Sequence, residues 1–427
     1  MKIVITNIVV LNTGDAAILL GMIEILRKAF DANIDIVIYD SNYDAASKYY
    51  PELKFRQQLY KNITRVYPIR YIGRVLKLFK IILFYLAVWS LKNNLHFIAK
   101  LILNQEELNN LFEYINADLI ISSGGTYLVE NYSLESKIFD YQISLFLKKP
   151  LVFFTQSLGP FLTSRNQKAF KKIFEQSLLI LLRDRHSEEN ILKINAQNAN
   201  TFVSADAAFA LANVSSIENA QNAQSFASSP KIAISVRDWK HFKTIDPALG
   251  RKKYLETVSN MTIHLVEKYG AKITYISTCQ GIPEYWTDDS KVAFEIIKKL
   301  PTTVVNSVIL DENFHSPEKL MEMLRSYDLV ISTRLHMAIL ALNSGVPVLP
   351  IAYEFKTQEL FKRIGQKTDW ILDIEDINSK LAITAIDSFM ASIADIRKTI
   401  FPNILKEHER ALESGQLLKK IYNRTLS

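Results

Sequence analysis

Short β-branched runs alternate with longer helical patterns along this chain, and that alternation restricts it to α/β architecture, because strands joined by crossover helices pair in parallel. The first series of runs covers residues 2–10, 34–39, 118–122, 151–155, 178–182 and 201–203. A second covers residues 231–237, 271–278, 303–310, 328–332 and 346–351. Between the two, NVSSIENAQNAQSFASSP (213–230) is polar, small and Pro-terminated, which reads as a linker. The pattern predicts two α/β domains, residues 1–212 and 231–375, with a cleft between the carboxyl ends of their strands. A helical tail over 376–427 is expected to return to the first domain.

With 427 residues, 48% of them hydrophobic, the chain can bury the cores that two or three domains need. Its single cysteine, Cys279, excludes an intrachain disulfide framework. Met1-Lys2 leads straight into an apolar strand pattern without a signal-peptide arrangement, so a cytoplasmic protein is expected.

The net charge of +7 is a local property. From Leu53 to Gln105 there is no Asp or Glu, whereas Lys54, Arg56, Lys61, Arg65, Arg70, Arg74, Lys77, Lys80, Lys92 and Lys100 are all cationic. Outside this basic and apolar insert (about 54–105) the chain is net negative, which argues against nucleic acid as a partner. The apolar run Ile81 to Leu91 is shorter than the roughly 20 residues that span a bilayer. Two readings of residues 70–103 fit: a basic amphipathic helix on an anionic membrane surface, at the inner face of the plasma membrane, or a helix packed on the protein's own core.

Polar and small residues collect where strands give way to helices. In NTGDAAILL, Gly14 allows a tight turn and Asp15 is a candidate cap. In ISSGGTYLVE, Gly124 and Gly125 would let backbone amides approach an anion. FFTQSLGP leaves Gln156 and Ser157 just past a strand, and LLRDRHSEEN puts Arg183, Asp184 and Ser187 at the end of another. Neither the Walker pattern nor GxGxxG occurs, so a nucleotide fingerprint is not supported.

The second half carries the stronger signal. ISVRDW places Arg237 at one strand end, and ISTRLHMAIL places Arg334 and His336 at another. Two guanidinium forks beside a helix N-terminus suit a carboxylate or phosphate, and a histidine there can carry a proton near neutral pH. Taken singly, each residue also fits a structural ion pair or a packed position. No His, Cys, Asp or Glu cluster has metal-ligand spacing, so neither a metal nor a cofactor is expected.

Taken in order, Asn12-x-Gly14-Asp15, Gly124-Gly125-Thr126, Gln156-Ser157-x-Gly159-Pro160, Arg183-Asp184-x-x-Ser187, Ala205-Asp206-Ala207-Ala208-Phe209, Ser235-Val236-Arg237, Ser332-Thr333-Arg334-Leu335-His336 and Gly345-Val346-Pro347, with Lys356 after Tyr353, resemble the polysaccharide pyruvyl transferase family. The resemblance covers about residues 1–370. It implies two Rossmann-like domains facing across a cleft, as in glycosyltransferases of the B type. It also implies phosphoenolpyruvate as co-substrate, bound on the second domain, and a saccharide acceptor, free or lipid-linked, on the first. The product would be a pyruvate ketal. On this reading His336, Arg334 and Arg237 are catalytic, and Gly14, Asp15, Gly124, Gly125, Gln156, Ser157, Arg183, Asp184 and Lys356 bind substrate. Two rivals share the architecture: a nucleotide-sugar-dependent glycosyltransferase, and a non-catalytic membrane-associated scaffold of polysaccharide assembly.

Overall fold

The computed structural model describes residues 1–427 except 31–32, 62–69, 131, 224, 227 and 427. Arg65 therefore lies outside the described residues, as does the side chain of Arg70. The chain divides into two compact units. The first comprises residues 1–10, 22–207 and 412–427, and the second comprises residues 11–21 and 208–411. Each is built on a parallel sheet, the α/β class that the alternation predicts.

In the first unit the strands are β1 (Lys2–Ile8), β2 (Asp35–Asp40), β3 (Phe55–Gln57), β4 (Leu119–Ser122), β5 (Gly125–Leu128), β6 (Leu151–Leu158), β7 (Leu179–Leu182) and β8 (Thr201–Val203). They run in the order β3-β2-β1-β4-β6-β7-β8, with β5 paired to β6. The central strands are buried on both faces, which is why LIIS of β4 and the LVFF that opens β6 read as near-continuous apolar runs. Residues 412–427 complete this unit: Phe30 and Tyr422 meet edge to face with ring centroids 6.0 Å apart, and Ser204 and Ser414 share a 2.5 Å hydrogen bond.

The second unit contains β9 (Lys231–Ser235), β10 (Lys272–Tyr275), β11 (Val308–Leu310), β12 (Leu329–Ser332), β13 (Val348–Ala352) and β14 (Leu372–Asp373), in the order β11-β10-β9-β12-β13-β14. Strand order in both sheets therefore reverses beside the first strand, at β1/β4 and at β9/β12. Ligands of doubly wound sheets bind outside the carboxyl ends of the strands at such a reversal.

Four local expectations are corrected. The stretch that reads as a linker opens as a helix: Asn213 caps Val214–Gln221, which buries Ile217. Residues 302–305 form a helical turn, and only Val308–Leu310 of that run is strand. Gln156 and Ser157 lie inside β6, because the backbone takes a positive φ at Thr155 and the strand resumes pairing one register on. Finally, Gly124-Gly125 leads into β5, not into a helix; Gly125 sits at φ +128°, and a side chain on it would strike the Tyr127 ring.

Candidate functional site

The polar residues of the second unit gather at the carboxyl ends of β9, β10, β12 and β13. Strand β12 ends at Ser332, whose hydroxyl accepts from the Arg334 amide (3.1 Å) and donates to the Arg334 carbonyl (2.7 Å). This hydroxyl fastening leaves Arg334 extended and starts the helix Leu335–Asn343 immediately after it. His336 thus stands in the first turn of that helix, where the dipole is positive.

The Arg334 guanidinium is not a free clamp. Its Nε and Nη2 donate to the two oxygens of Asp289 at 2.8 and 2.7 Å, in the bidentate geometry that a planar fork favours. Asp289 is fully buried and also accepts from the Ser277 hydroxyl (2.6 Å). Burial works against the Arg334 charge, but the adjacent Asp289 carboxylate more than offsets it, so the guanidinium stays protonated well above its ordinary range. Only Nη1 lies outside the Asp289 fork.

Arg237 is arranged differently. No carboxylate of the described residues pairs with its guanidinium, which lies over the Tyr353 ring (4.3 Å to the centroid) and near Trp239 (5.3 Å). The carboxylate next to it in sequence, Asp238, is already held by Arg251 (2.6 Å) and Lys240 (2.7 Å). Behind Arg237, its amide donates to the Tyr254 hydroxyl (3.3 Å), which also bonds to Thr333 (2.8 Å). Burial pushes the Tyr254 phenol up to about 12, so it remains a neutral hydrogen-bonding prop. Stacking fixes the guanidinium plane while leaving its N–H edges uncommitted to any acid.

The first turn of the helix Thr13–Phe30 joins this site within the second unit. Thr13 donates through its amide to the Thr278 carbonyl (2.9 Å) and through its hydroxyl to the His315 carbonyl (2.8 Å). At the start of this helix the Asn12 side chain accepts from the Gly14 amide at 2.9 Å, and Asp15 lies in the first turn. Gly14 needs no unusual φ. It is glycine because a Cβ there would stand 2.7 Å from Cβ and 3.1 Å from Nδ1 of His336. Arg334, Asp289, Asp15 and Arg237 all act electrostatically on the buried Cys279 thiol. Burial nevertheless dominates and pushes that thiol up to about 12, which excludes it as a nucleophile near neutral pH.

Lys356 follows β13 and pairs with Glu354 at 2.6 Å. The remaining predicted residues form a separate group in the first unit. Arg183 donates to the Ser157 hydroxyl (2.7 Å), to Thr126 (2.7 Å) and to Asp206 (2.5 Å). Ser157 in turn donates to Asp184 (2.6 Å), which caps the helix Arg185–Lys193 by accepting from the Ser187 amide and hydroxyl. Arg183 pairs with Asp206, not Asp184, and the network holds strand ends together. Asp289, Tyr254 and the stacking pair of Trp239 and Tyr353 were not singled out for the site from the sequence. A carboxylate in a DDS helix start was the signal available for Asp289.

A model of the family described as polysaccharide pyruvyl transferase matches residues 12–354. The amylovoran biosynthesis protein AmsJ of Erwinia amylovora is 27% identical over 419 residues, covering 94% of each chain. In fold the chain is similar to the Anabaena protein HepE in complex with UDP, at a TM-score of 0.53 and 13% identity over 100% of this chain and 98% of that one. It is also similar to UDP-GlcNAc 2-epimerase of Neisseria meningitidis bound to UDP-GlcNAc, at a TM-score of 0.55 and 14% identity over 100% and 99%. A family match that spans both series of strand-end motifs agrees with the order in which they occur. The chain belongs to the polysaccharide pyruvyl transferase family.

Proposed function

We propose that the protein transfers the pyruvyl unit of phosphoenolpyruvate to sugar hydroxyls of a surface polysaccharide or its lipid-linked precursor, leaving a pyruvate ketal and inorganic phosphate. The observation that carries this reading is Arg237: a partly buried guanidinium, stacked and held from behind, at a sheet reversal, with no acid partner among the described residues. Such a group suits a small, multiply charged anion. Phosphoenolpyruvate has two anionic ends, and the amino end of the Leu335–Asn343 helix with Arg334 Nη1 offers donors for the second.

In the reaction, a sugar hydroxyl adds to C2 of the enol ester as a proton is delivered to C3. Phosphate then departs with the C–O bonding pair through an oxocarbenium-like species, and a second hydroxyl adds to C2 to close the ketal. Each hydroxyl gives up one proton; one replaces that delivered to C3 and the other leaves with phosphate. His336, in the first turn of a helix and backed by Gly14, is the proposed proton carrier. Fixed positive charge from Arg237 stabilises the departing phosphate. The family description supports a polysaccharide acceptor.

Thermal melting with added ligands tests the donor. Phosphoenolpyruvate at 100 times its Kd should stabilise the protein by about 2.7 kcal/mol, with no comparable effect from UDP-glucose. Arg237→Ala should weaken that binding about 10- to 100-fold, the loss of a charge-assisted pair. Stabilisation by the nucleotide sugar and not by phosphoenolpyruvate would overturn the reading in favour of a glycosyltransferase.

A further inference from the structure

The helix Arg70–Lys92 has two apolar faces, and only one is used. Phe84, Ala87, Val88 and Leu91 point into the core of the first unit, where Phe84 meets Phe139 with ring centroids 5.4 Å apart. On the other side Val75, Phe79, Ile82, Leu86 and Trp89 recur at alternating steps of four and three residues, which keeps them in one stripe. These five are between 42% and 67% exposed. The next helix, His96–Ile102, adds exposed Phe97 and Leu101. A packed amphipathic helix normally shows solvent a polar back, so an apolar back of this length marks an interaction surface.

Charge selects the occupant. No Asp or Glu occurs anywhere from Leu53 to Gln105, while Arg74, Lys92 and Lys100 are exposed beside the apolar side chains. Arg74 and Lys92 lie about five turns apart and therefore on the same edge of the stripe. A second copy of this chain would set these cations against their own images with no carboxylate of the segment between them. A bilayer carrying anionic lipid neutralises them and accepts the apolar side chains, and tryptophan at one end of the stripe suits the headgroup boundary. The arrangement is interfacial: among the described residues no helix is long and apolar enough to cross a membrane.

We infer that this stripe docks the protein on an anionic membrane surface, with the Arg70–Lys92 helix lying in the plane of the interface. The inference is independent of the donor at the other unit's sheet. Half-buried Lys77 is not part of the docking edge, because it faces inward and pairs with Glu135 at 2.6 Å. The surface therefore combines one hydrophobic stripe with exposed cations around it.

Co-sedimentation of the full chain with vesicles of phosphatidylcholine alone, or with 30 mol% phosphatidylglycerol by design, tests the docking. Binding should require the anionic lipid and weaken as salt is raised. The combined variant Phe79→Ser, Ile82→Ser and Trp89→Ser should bind at least about tenfold more weakly with an unchanged melting temperature, since all three are solvent-facing. Arg74→Gln and Lys100→Gln should each cost about fivefold. Equal binding of wild type and variants to anionic vesicles would overturn the inference. So would a lipid-free dimer of the wild type that the triple variant converts to monomer, because the stripe would then be an interface between copies.

Discussion

The two sheets share a strand order and a point of reversal, yet what stands at that point differs. At the end of β1 and β4, Thr6 is paired in register with Ser122, and the Ser122 hydroxyl bonds to Asn7 (3.3 Å), Gln156 (3.1 Å) and Tyr141 (2.7 Å). The corresponding register pair at the end of β9 and β12 is Ser235 and Ser332, but there the network continues through Ser277 and Asp289 to Arg334, with Arg237 beside it. One reversal is lined by hydroxyl and amide groups with the buried Asp140 against Thr6, and the other by guanidinium groups. The same topology thus supplies a strand-order reversal twice, and the residues at the strand ends decide what charge stands there.

Within each unit an arginine is also committed to the architecture. Arg183 is bound by Asp206, Ser157 and Thr126; Arg334 is shared with Asp289; the Arg237 guanidinium stacks on aromatic rings and pairs with no carboxylate among the described residues. A guanidinium at a strand end is therefore insufficient evidence for binding. Its acid partner must be found first.

The largest effects should separate these roles. His336→Ala is expected to lower turnover by about 100- to 10,000-fold, as removal of a positioned proton carrier does, with the melting temperature nearly kept. Arg183→Leu should do the reverse, costing about 3–5 kcal/mol of stability because it leaves Asp206 buried without its cation. Denaturant unfolding and a phosphate-release assay on both variants make the test. Wild-type turnover in the His336 variant would remove it from the chemistry, and an unaltered denaturation midpoint in the Arg183 variant would break the division between architecture and site.

A pH-dependent difference should follow at the first reversal. Asp140 is buried near it and accepts weakly from Thr6 (3.4 Å). Burial pushes its carboxyl up to about 7, with Lys137 on the same helix and Thr6 only partly opposing, while Tyr114 and Tyr141 are neutral neighbours. Because the folded state prefers the protonated acid, its contribution to stability is complete below the ordinary Asp range near 3.9. It declines as pH rises and is lost by about pH 7. Asp140→Asn should therefore stabilise the protein at pH 8, by up to about 4 kcal/mol, and give no gain at pH 4. Melting curves at both pH values decide it; destabilisation at pH 8 would instead mean that the carboxylate is held by Lys137.

Much of the fold could be read from the chain because buried parallel strands announce themselves as β-branched runs, and the positions of Arg237, Arg334 and His336 at strand ends follow directly. What could not be read depends on tertiary register. The positive φ at Thr155, within the strand that carries Gln156 and Ser157, coincides with a shift in the pairing with β7 that local sequence does not announce. Asp289 lies 45 residues from Arg334, and nothing in either neighbourhood names the other. The exposed back of the Arg70–Lys92 helix is likewise invisible to periodicity, because a stripe facing the core and a stripe facing outward have the same spacing.

Gly14 gives the smallest and most local test. In sequence it looked like a turn glycine, and on that view alanine should be tolerated or even favoured, since Gly14 is helical and alanine is the better helix former by about 1 kcal/mol. The structure predicts the opposite sign. The new methyl would meet Cβ of His336 at 2.7 Å, the root of that side chain, so the first turn of one helix must move away from the other and cannot simply rotate a flexible end. A net loss of about 1–2 kcal/mol is expected, typical of modest overpacking. Turnover should fall more than donor affinity, because the displaced group is the proposed proton carrier and Arg237 is fixed from another strand. If Gly14→Ala melts higher and turns over normally, the contact between Gly14 and His336 does not position the imidazole, and the second reversal binds its anion without help from the first turn of the Thr13–Phe30 helix.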